Sequence, residues 1–328
     1  MAACGAPDTS GSTDKSVTSI KDGDLSPVKD EDLSGVSFSR GLATTTTQSL
    51  IDCGRGSRVS AVGKITAEDG SEWTLPADTN FTDSPKAADL YNDCGGESRG
   101  GVDNFNLSEV VLQDAGGDEE FVAYIFADNY FELYVNGKLI AVDAVPFTPF
   151  NSSAVRFKAN RPLTVAFKLV DWEENLGLGS EAGRGKAYQP GDGGLVAHFQ
   201  SADGETVAIT DETWKAQAFY ISPLQDRSCL QAKGNVRDTS ACSTEGVADG
   251  TDFSAAFWPV PDNWATPDFN DADWPSASVF SDETVGVDNK RAFTDFTSIF
   301  NDPDADAQFI WSSNLILDNL VLVRKQID

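Results

Sequence analysis

A single histidine and a single methionine among 328 residues leave this chain short of material for most metal and nucleophile chemistry. Copper and haem sites and a Ser-His-Asp relay draw on residues that are almost absent here. Cysteine is scarce as well, with five residues and no C-x-x-C pair, so a zinc set has no ligands to build on. Basic residues are few. Lys and Arg number 24 against 52 Asp and Glu, for a net charge of −28. Such a surface repels phosphate backbones and anionic headgroups, which excludes a nucleic-acid partner and membrane binding through charge. No apolar run approaches the ~20 residues of a spanning helix. No G-x-G-x-x-G or Walker pattern is present, and no period of 20–50 residues repeats, which disfavours a solenoid or propeller.

What is present begins with Met1-Ala2-Ala3-Cys4-Gly5. Ala-Ala-Cys-Gly resembles the remnant of a bacterial lipobox, in which the Cys becomes the lipidated N-terminus. The expectation is an extracytoplasmic protein at the bacterial outer membrane or cell surface, touching membrane only through a lipid on Cys4. Residues 5–36 are Ser, Thr, Asp, Gly and Lys with almost no large apolar side chain, and read as a flexible tether. Setting Cys4 aside leaves Cys53, Cys94, Cys229 and Cys242, which can pair in three ways. Sequence-local pairing, Cys53 with Cys94 and Cys229 with Cys242, is the simplest. It would close loops of about 40 and about 13 residues, each stabilising by roughly 3–4 kcal/mol in the chain-entropy model. Oxidised cysteines fit a compartment outside the cytosol.

Beyond the tether the pattern is β. Phe121–Phe126 follows an acidic turn, and Tyr130–Val135 and Lys138–Val142 flank Asn136-Gly137. Asn-Gly between two such runs predicts a hairpin, because a type I′ turn needs positive φ twice. Further strands are expected near Val59–Thr66, Leu107–Leu112, Ala154–Lys158, Leu163–Val170, Leu195–Phe199, Thr206–Ile209, Trp214–Tyr220 and Asn314–Arg324, with one short helix at Pro85–Tyr91. Many short strands joined by Gly, Pro and Asp turns predict an all-β antiparallel sandwich or jelly roll with long loops. Residues 37–104 read as a disulfide-stapled β lobe or extra strands on the same sandwich, 105–328 as its body, and 223–268 as a long insertion with little strand pattern.

Four segments, in order, resemble the galactose-binding-like jelly roll that accompanies large glycosidases such as rhamnosidases. Ala127-Asp128-Asn129-Tyr130-Phe131-Glu132-Leu133-Tyr134-Val135-Asn136-Gly137 is similar to the family's A-D-x-x-x-E-x-x-x-N-G hairpin. Leu163–Leu169 stands in place of its N-x-I-A-V strand. Thr210-Asp211-Glu212-Thr213-Trp214-Lys215 is similar to T-D-x-S-W-K, and Phe269-Asn270-Asp271-Ala272-Asp273-Trp274 to F-D-D-S-x-W. The chain departs from the family at Asn270, in the Cys-bearing insertion, and in having no catalytic domain after these segments. The resemblance implies the fold, a core position for Trp214 and Trp274, and an accessory role in glycan binding.

Candidate site residues follow. Trp172, Tyr188, Trp258 and Trp264 fall in predicted loops, where exposed aromatics stack on sugar faces, and Glu173 is an acid suited to sugar hydroxyls. Asp171, Glu173 and Glu174 beside Trp172 are the alternative, a glycosidase acid pair. Asp302, Asp304 and Asp306 alternate as calcium ligands do, although the Gly and Glu of an EF-hand are missing, and Asp268 and Asp271 belong to a second acidic run. His198, inside a strand pattern, reads as structural. The reading is a non-catalytic cell-surface lipoprotein whose sandwich binds glycan with calcium as structural support. The alternatives are a structural subunit of an extracellular assembly, whose partner is a cell-surface protein, and a glycoside hydrolase.

Overall fold

The computed structural model describes residues 35–41, 63–76, 79–92, 101–145, 150–171, 191–233, 236–244 and 253–328. Among them the strands are, in chain order, β1 (Ser37–Arg40), β2 (Lys64–Thr66), β3 (Glu72–Thr74), β4 (Ala88–Asn92), β5 (Leu112–Asp114), β6 (Glu119–Asp128), β7 (Tyr130–Val135), β8 (Lys138–Val142), β9 (Asn151–Ala159) and β10 (Leu163–Val170). They continue as β11 (Gly194–Ser201), β12 (Thr206–Ile209), β13 (Lys215–Leu224), β14 (Gln231–Lys233), β15 (Val236–Asp238), β16 (Ser254–Phe257), β17 (Ser278–Phe280), β18 (Phe309–Trp311) and β19 (Asp318–Ile327). Three one-turn helices lie between β17 and β18: α1 (Asp282–Val285), α2 (Arg291–Thr294) and α3 (Thr297–Phe300).

The strands build an antiparallel β-sandwich. One sheet has seven strands in the order β1-β16-β13-β19-β10-β7-β8. The other has eight, ordered β17-β18-β11-β6-β9-β4, with β12 beside β11 and β5 beside β9. Only the β5–β9 pairing is parallel among the described strands. Of the N-terminal strands, β1 and β4 are extra strands on this sandwich, β1 pairing with β16 and β4 with β9, whereas β2 and β3 form a small two-stranded sheet of their own.

Side-chain alternation along the seven-stranded sheet feeds two cores. On β10, Val165, Phe167 and Leu169 enter the space between the sheets, whereas Ala166 and Val170 join a second cluster on the outer face. β19 divides in the same way, with Val321, Val323 and Ile327 inward and Leu320 and Leu322 outward. The inner core stacks aromatic on aromatic, as in Phe167 with Phe199 (6.2 Å) and Phe199 with Trp214 (6.2 Å). Trp73, Leu230, Trp258, Trp264 and Trp274 close the outer core. The short helices join the first core from the eight-stranded sheet, where Phe293 meets Phe126 at 6.1 Å and Phe309 at 5.3 Å. Both faces of the seven-stranded sheet are therefore buried, which suits its nearly continuous apolar strands.

The Asn136-Gly137 hairpin forms as its turn chemistry demands, with φ of 51° and 81°. Gly137 is required twice over, since a Cβ there would lie 2.8 Å from Thr266 Cγ2. Four expectations need correction. Pro85–Tyr91 is not a helix; the N–H of Ala87 donates to Val142 O, the N–H of Val142 donates to Pro85 O, and β4 follows. Leu107–Glu109 is a one-turn 3-10 helix, because Asn106 Oδ1 accepts the Ser108 N–H and caps it. The last strand starts at Asp318, after a turn in which Asn314 Oδ1 takes the N–H groups of Ile316 and Leu317 (3.0 Å each). Residues 223–268 are no plain loop: β14 and β15 form a hairpin, β16 sits inside the seven-stranded sheet, and Cys229 is bonded to Cys242.

Candidate functional site

The described member of the acid-rich run, Asp171, follows β10 at one end of the sandwich. It is fully buried, and its N–H donates to Asn319 O at 3.0 Å. Asp171 is thus enclosed at the strand end, and its expected partners in a glycosidase pair, Glu173 and Glu174, lie outside the described residues. The ends of neighbouring strands add further buried polar groups. Asp128 closes β6 opposite Gly194 and accepts from Asn129 Nδ2 at 2.6 Å. The N–H of Asn129 donates to Val170 O at 3.1 Å. Asp143, after β8, accepts the N–H of Val145 at 3.1 Å and the side-chain amide of Asn151. Burial pushes the Asp143 carboxyl well above the usual range, so it favours the neutral form. Asp128, Asn129, Asp143, Asn151 and Asp171 are all buried at this end. Glu173, Glu174, Trp172 and Tyr188 lie outside the described residues, as do Cys4, Cys53 and Cys94.

On the outer face, Glu132 of the first family-like motif is fully buried. Its carboxylate accepts the N–H of Asn80 (2.7 Å), the Asn80 side-chain amide (2.9 Å) and the Tyr134 hydroxyl (2.7 Å). The Tyr130 hydroxyl (3.3 Å) and the Lys168 ammonium (3.9 Å) complete its surroundings. Desolvation, then the charge of Glu132, raises the pKa of both tyrosines. This arrangement pins the segment around Asn80 to β7 and leaves Glu132 no face for a ligand.

Trp258 and Trp264 are not exposed platforms; both are buried. Trp258 forms one side of a slot for Arg237, whose guanidinium lies 4.3 Å from its ring and 4.5 Å from that of Phe219. Trp264 meets Tyr134 edge-on at 5.2 Å, and its carbonyl accepts from Arg324. The segment bearing them covers the outer core, and covering it consumes the aromatic faces. Trp214 and Trp274 are buried, as the resemblance implies.

The acidic runs serve the backbone. Asp302 Oδ1 accepts the N–H of Asp304 at 2.9 Å, and Asp306 takes the left-handed conformation at φ 57°. Asp268 Oδ1 accepts the Thr266 hydroxyl at 2.6 Å, and Asp271 Oδ2 accepts from Arg324 Nε at 2.8 Å. Among the described residues no group of three or more His, Cys, Asp or Glu is arranged to hold a metal ion. The calcium assignment to these five aspartates thus has no support from their geometry. His198 is fully buried, its ring nitrogens meeting Ile299 O (3.0 Å) and Thr206 Oγ1 (2.8 Å), and burial lowers its pKa.

The remaining family-like segments meet at the opposite end of β10, around a cleft of about 150 Å³. Thr164, Thr213, Lys215, Phe269, Asp271 and Arg324 line it, together with Lys325 and Gln326 from β19. Backbone bonds from Ala216 to Pro275 (3.0 Å) and from Ala277 to Trp214 (2.8 Å) hold the third and fourth motifs together. Lys215 belongs to the third of the family-like segments, whereas nothing local in the sequence marks Arg324 and Lys325 as its neighbours. None of the family models, curated proteins or solved structures compared with this chain matches it.

Proposed function

We propose that this protein is a non-catalytic carbohydrate-binding β-sandwich of the galactose-binding-like kind, held outside the cytosol on a lipidated Cys4. The observation that carries the reading is the order of the four motif segments, two of which supply Trp214 and Trp274, both buried as the resemblance implies. Sugar recognition needs hydroxyl-binding groups beside an aromatic face, and the run Trp172-Glu173-Glu174-Asn175 supplies both in sequence. The four motif segments support the fold family, and the Cys229–Cys242 bond supports an oxidising compartment. Burial of Asp171 and the enclosure of His198 argue for binding without turnover.

The test is a glycan array probed with the full chain, with Trp172→Ala as the variant. Replacement should weaken binding by roughly 1–3 kcal/mol if the indole stacks on sugar, by analogy with other aromatic stacking contacts. Folding should be preserved. Released reducing sugar, abolished by Glu173→Gln, would show a hydrolase instead. A folded protein that binds no glycan and forms multimers in native material would be a structural subunit.

A further inference from the structure

We propose that the cleft lined by Lys215, Arg324 and Lys325 is an anion subsite that takes the carboxylate of an acidic sugar residue. Its distinguishing property is charge. In a chain with 52 acidic and 24 basic residues, three cations line one small cavity whose lining holds a single carboxylate. That carboxylate, Asp271, is bound to Arg324. The guanidinium is otherwise fixed by the carbonyls of Trp264 and Thr266, and it forms a buried floor. Lys215 and Lys325 differ from it. Lys215 Nζ donates to Trp274 O at 2.9 Å, and Lys325 Nζ donates to Thr213 Oγ1. Both contacts are neutral, and among the described residues neither ammonium has a carboxylate within ion-pair distance.

An ammonium carries three donors, so each lysine keeps capacity after its structural bond. A surface this rich in acid would readily supply partners if the lysines served only to tie loops together. The rest of the lining suits a sugar. Gln326 offers an exposed amide at the mouth and half-buried Phe269 an apolar wall, while the Thr213 hydroxyl is held between Asp211 Oδ1, to which it donates, and Lys325. The cleft lies at the opposite end of β10 from Asp171, so it is separate from the polar end. That the carboxylate arrives on a sugar rests on the glycan-binding reading; that the cleft takes an anion does not.

The experiment is calorimetric titration of the full chain with a galacturonate oligomer, a neutral galactose oligomer of equal length, and sodium acetate. Lys325→Gln keeps a donor for Thr213 and removes the charge; Lys215→Gln serves if the first variant fails to fold. The galacturonate oligomer should bind, with affinity falling about tenfold or more in the variant, as for the loss of one charged hydrogen bond. Added salt should weaken it. Equal affinity in wild type and variant would overturn the subsite, as would a failure of both galacturonate and acetate to bind. Acetate that competes as well as the oligomer at equal carboxylate concentration would overturn the sugar assignment alone. Neutral oligomers bound in a Trp172-dependent way, with neither galacturonate nor acetate bound, would remove the subsite and leave the glycan reading standing. If acetate binds in a Lys325-dependent way and neither oligomer does, the anion site stands and the sugar assignment falls; if no anion binds, the subsite fails.

Discussion

Single residues carry more of this fold than their exposure in a loop reading implies. His198 links β11 to α3 through Ile299 and to β12 through Thr206. Burial, opposed by the Ile299 hydrogen bond, lowers its pKa below 6.5. A base depressed in the native state binds fewer protons there than when unfolded. Its contribution is therefore complete above about pH 6.5 and is lost as pH falls. We expect His198→Gln to cost about 1–3 kcal/mol near neutrality, and the gap to wild type to narrow toward pH 5 in urea melts. A constant gap would refute this. Asp318 has the opposite sense. Buried with Thr239 and Ser312 as donors, it is pushed up to about 6, so its contribution is full below the ordinary range and is lost as pH rises through that value. Asp318→Asn should flatten that component. Trp258→Ala should lower stability by about 3–5 kcal/mol, because it opens the outer core and strips one wall from Arg237. Urea midpoints report it, and a change below about 1 kcal/mol would return Trp258 to the surface.

Among elements, the hairpin β7–β8 was legible because its cause is local. Positive φ at two adjacent positions selects Asn-Gly without reference to the remaining chain. β10 and β12 matched their expected bounds for a similar reason, a compact apolar run between turn residues. The failures share a different cause. Pro85–Tyr91 has a composition that tolerates a helix, but its partner Val142 lies far away in sequence. β16 has four residues and little pattern of its own, and it becomes a strand because β1 and β13 flank it. Gly137→Ala should cost about 1–3 kcal/mol, from the φ of 81° and the Thr266 contact. Thermal melts would show it. Replacing both Cys229 and Cys242 by Ala should cost about 3 kcal/mol, for a sequence separation of 13. Equal urea midpoints in oxidised wild type and this variant would show that the outer core holds the β14–β15 hairpin unaided.

For the whole molecule, the acidic excess does not organise into a described metal site. Asp302 and Asp271 are engaged by turn and ion-pair partners. We expect Asp302→Ala with Asp304→Ala to leave the response of the melting temperature to millimolar Ca²⁺ and to EDTA as it is in wild type. A rise in Ca²⁺ that Asp302→Ala with Asp304→Ala removes would reinstate calcium, since a ligand held only by the native state stabilises it by mass action. The sequence by itself determined the class of the fold, the hairpin turn and the structural standing of His198, which follow from period, turn chemistry and composition, properties of neighbouring residues; the burial of Trp214 and Trp274 came from the family resemblance. The tertiary structure alone decided that the seven-stranded sheet is covered on both faces, that Trp258 and Trp264 close the second core, and that Lys215 and Lys325 share a cleft with Arg324. Which side chains end up exposed depends on what packs over a sheet, and that is set by contacts between residues far apart in the chain.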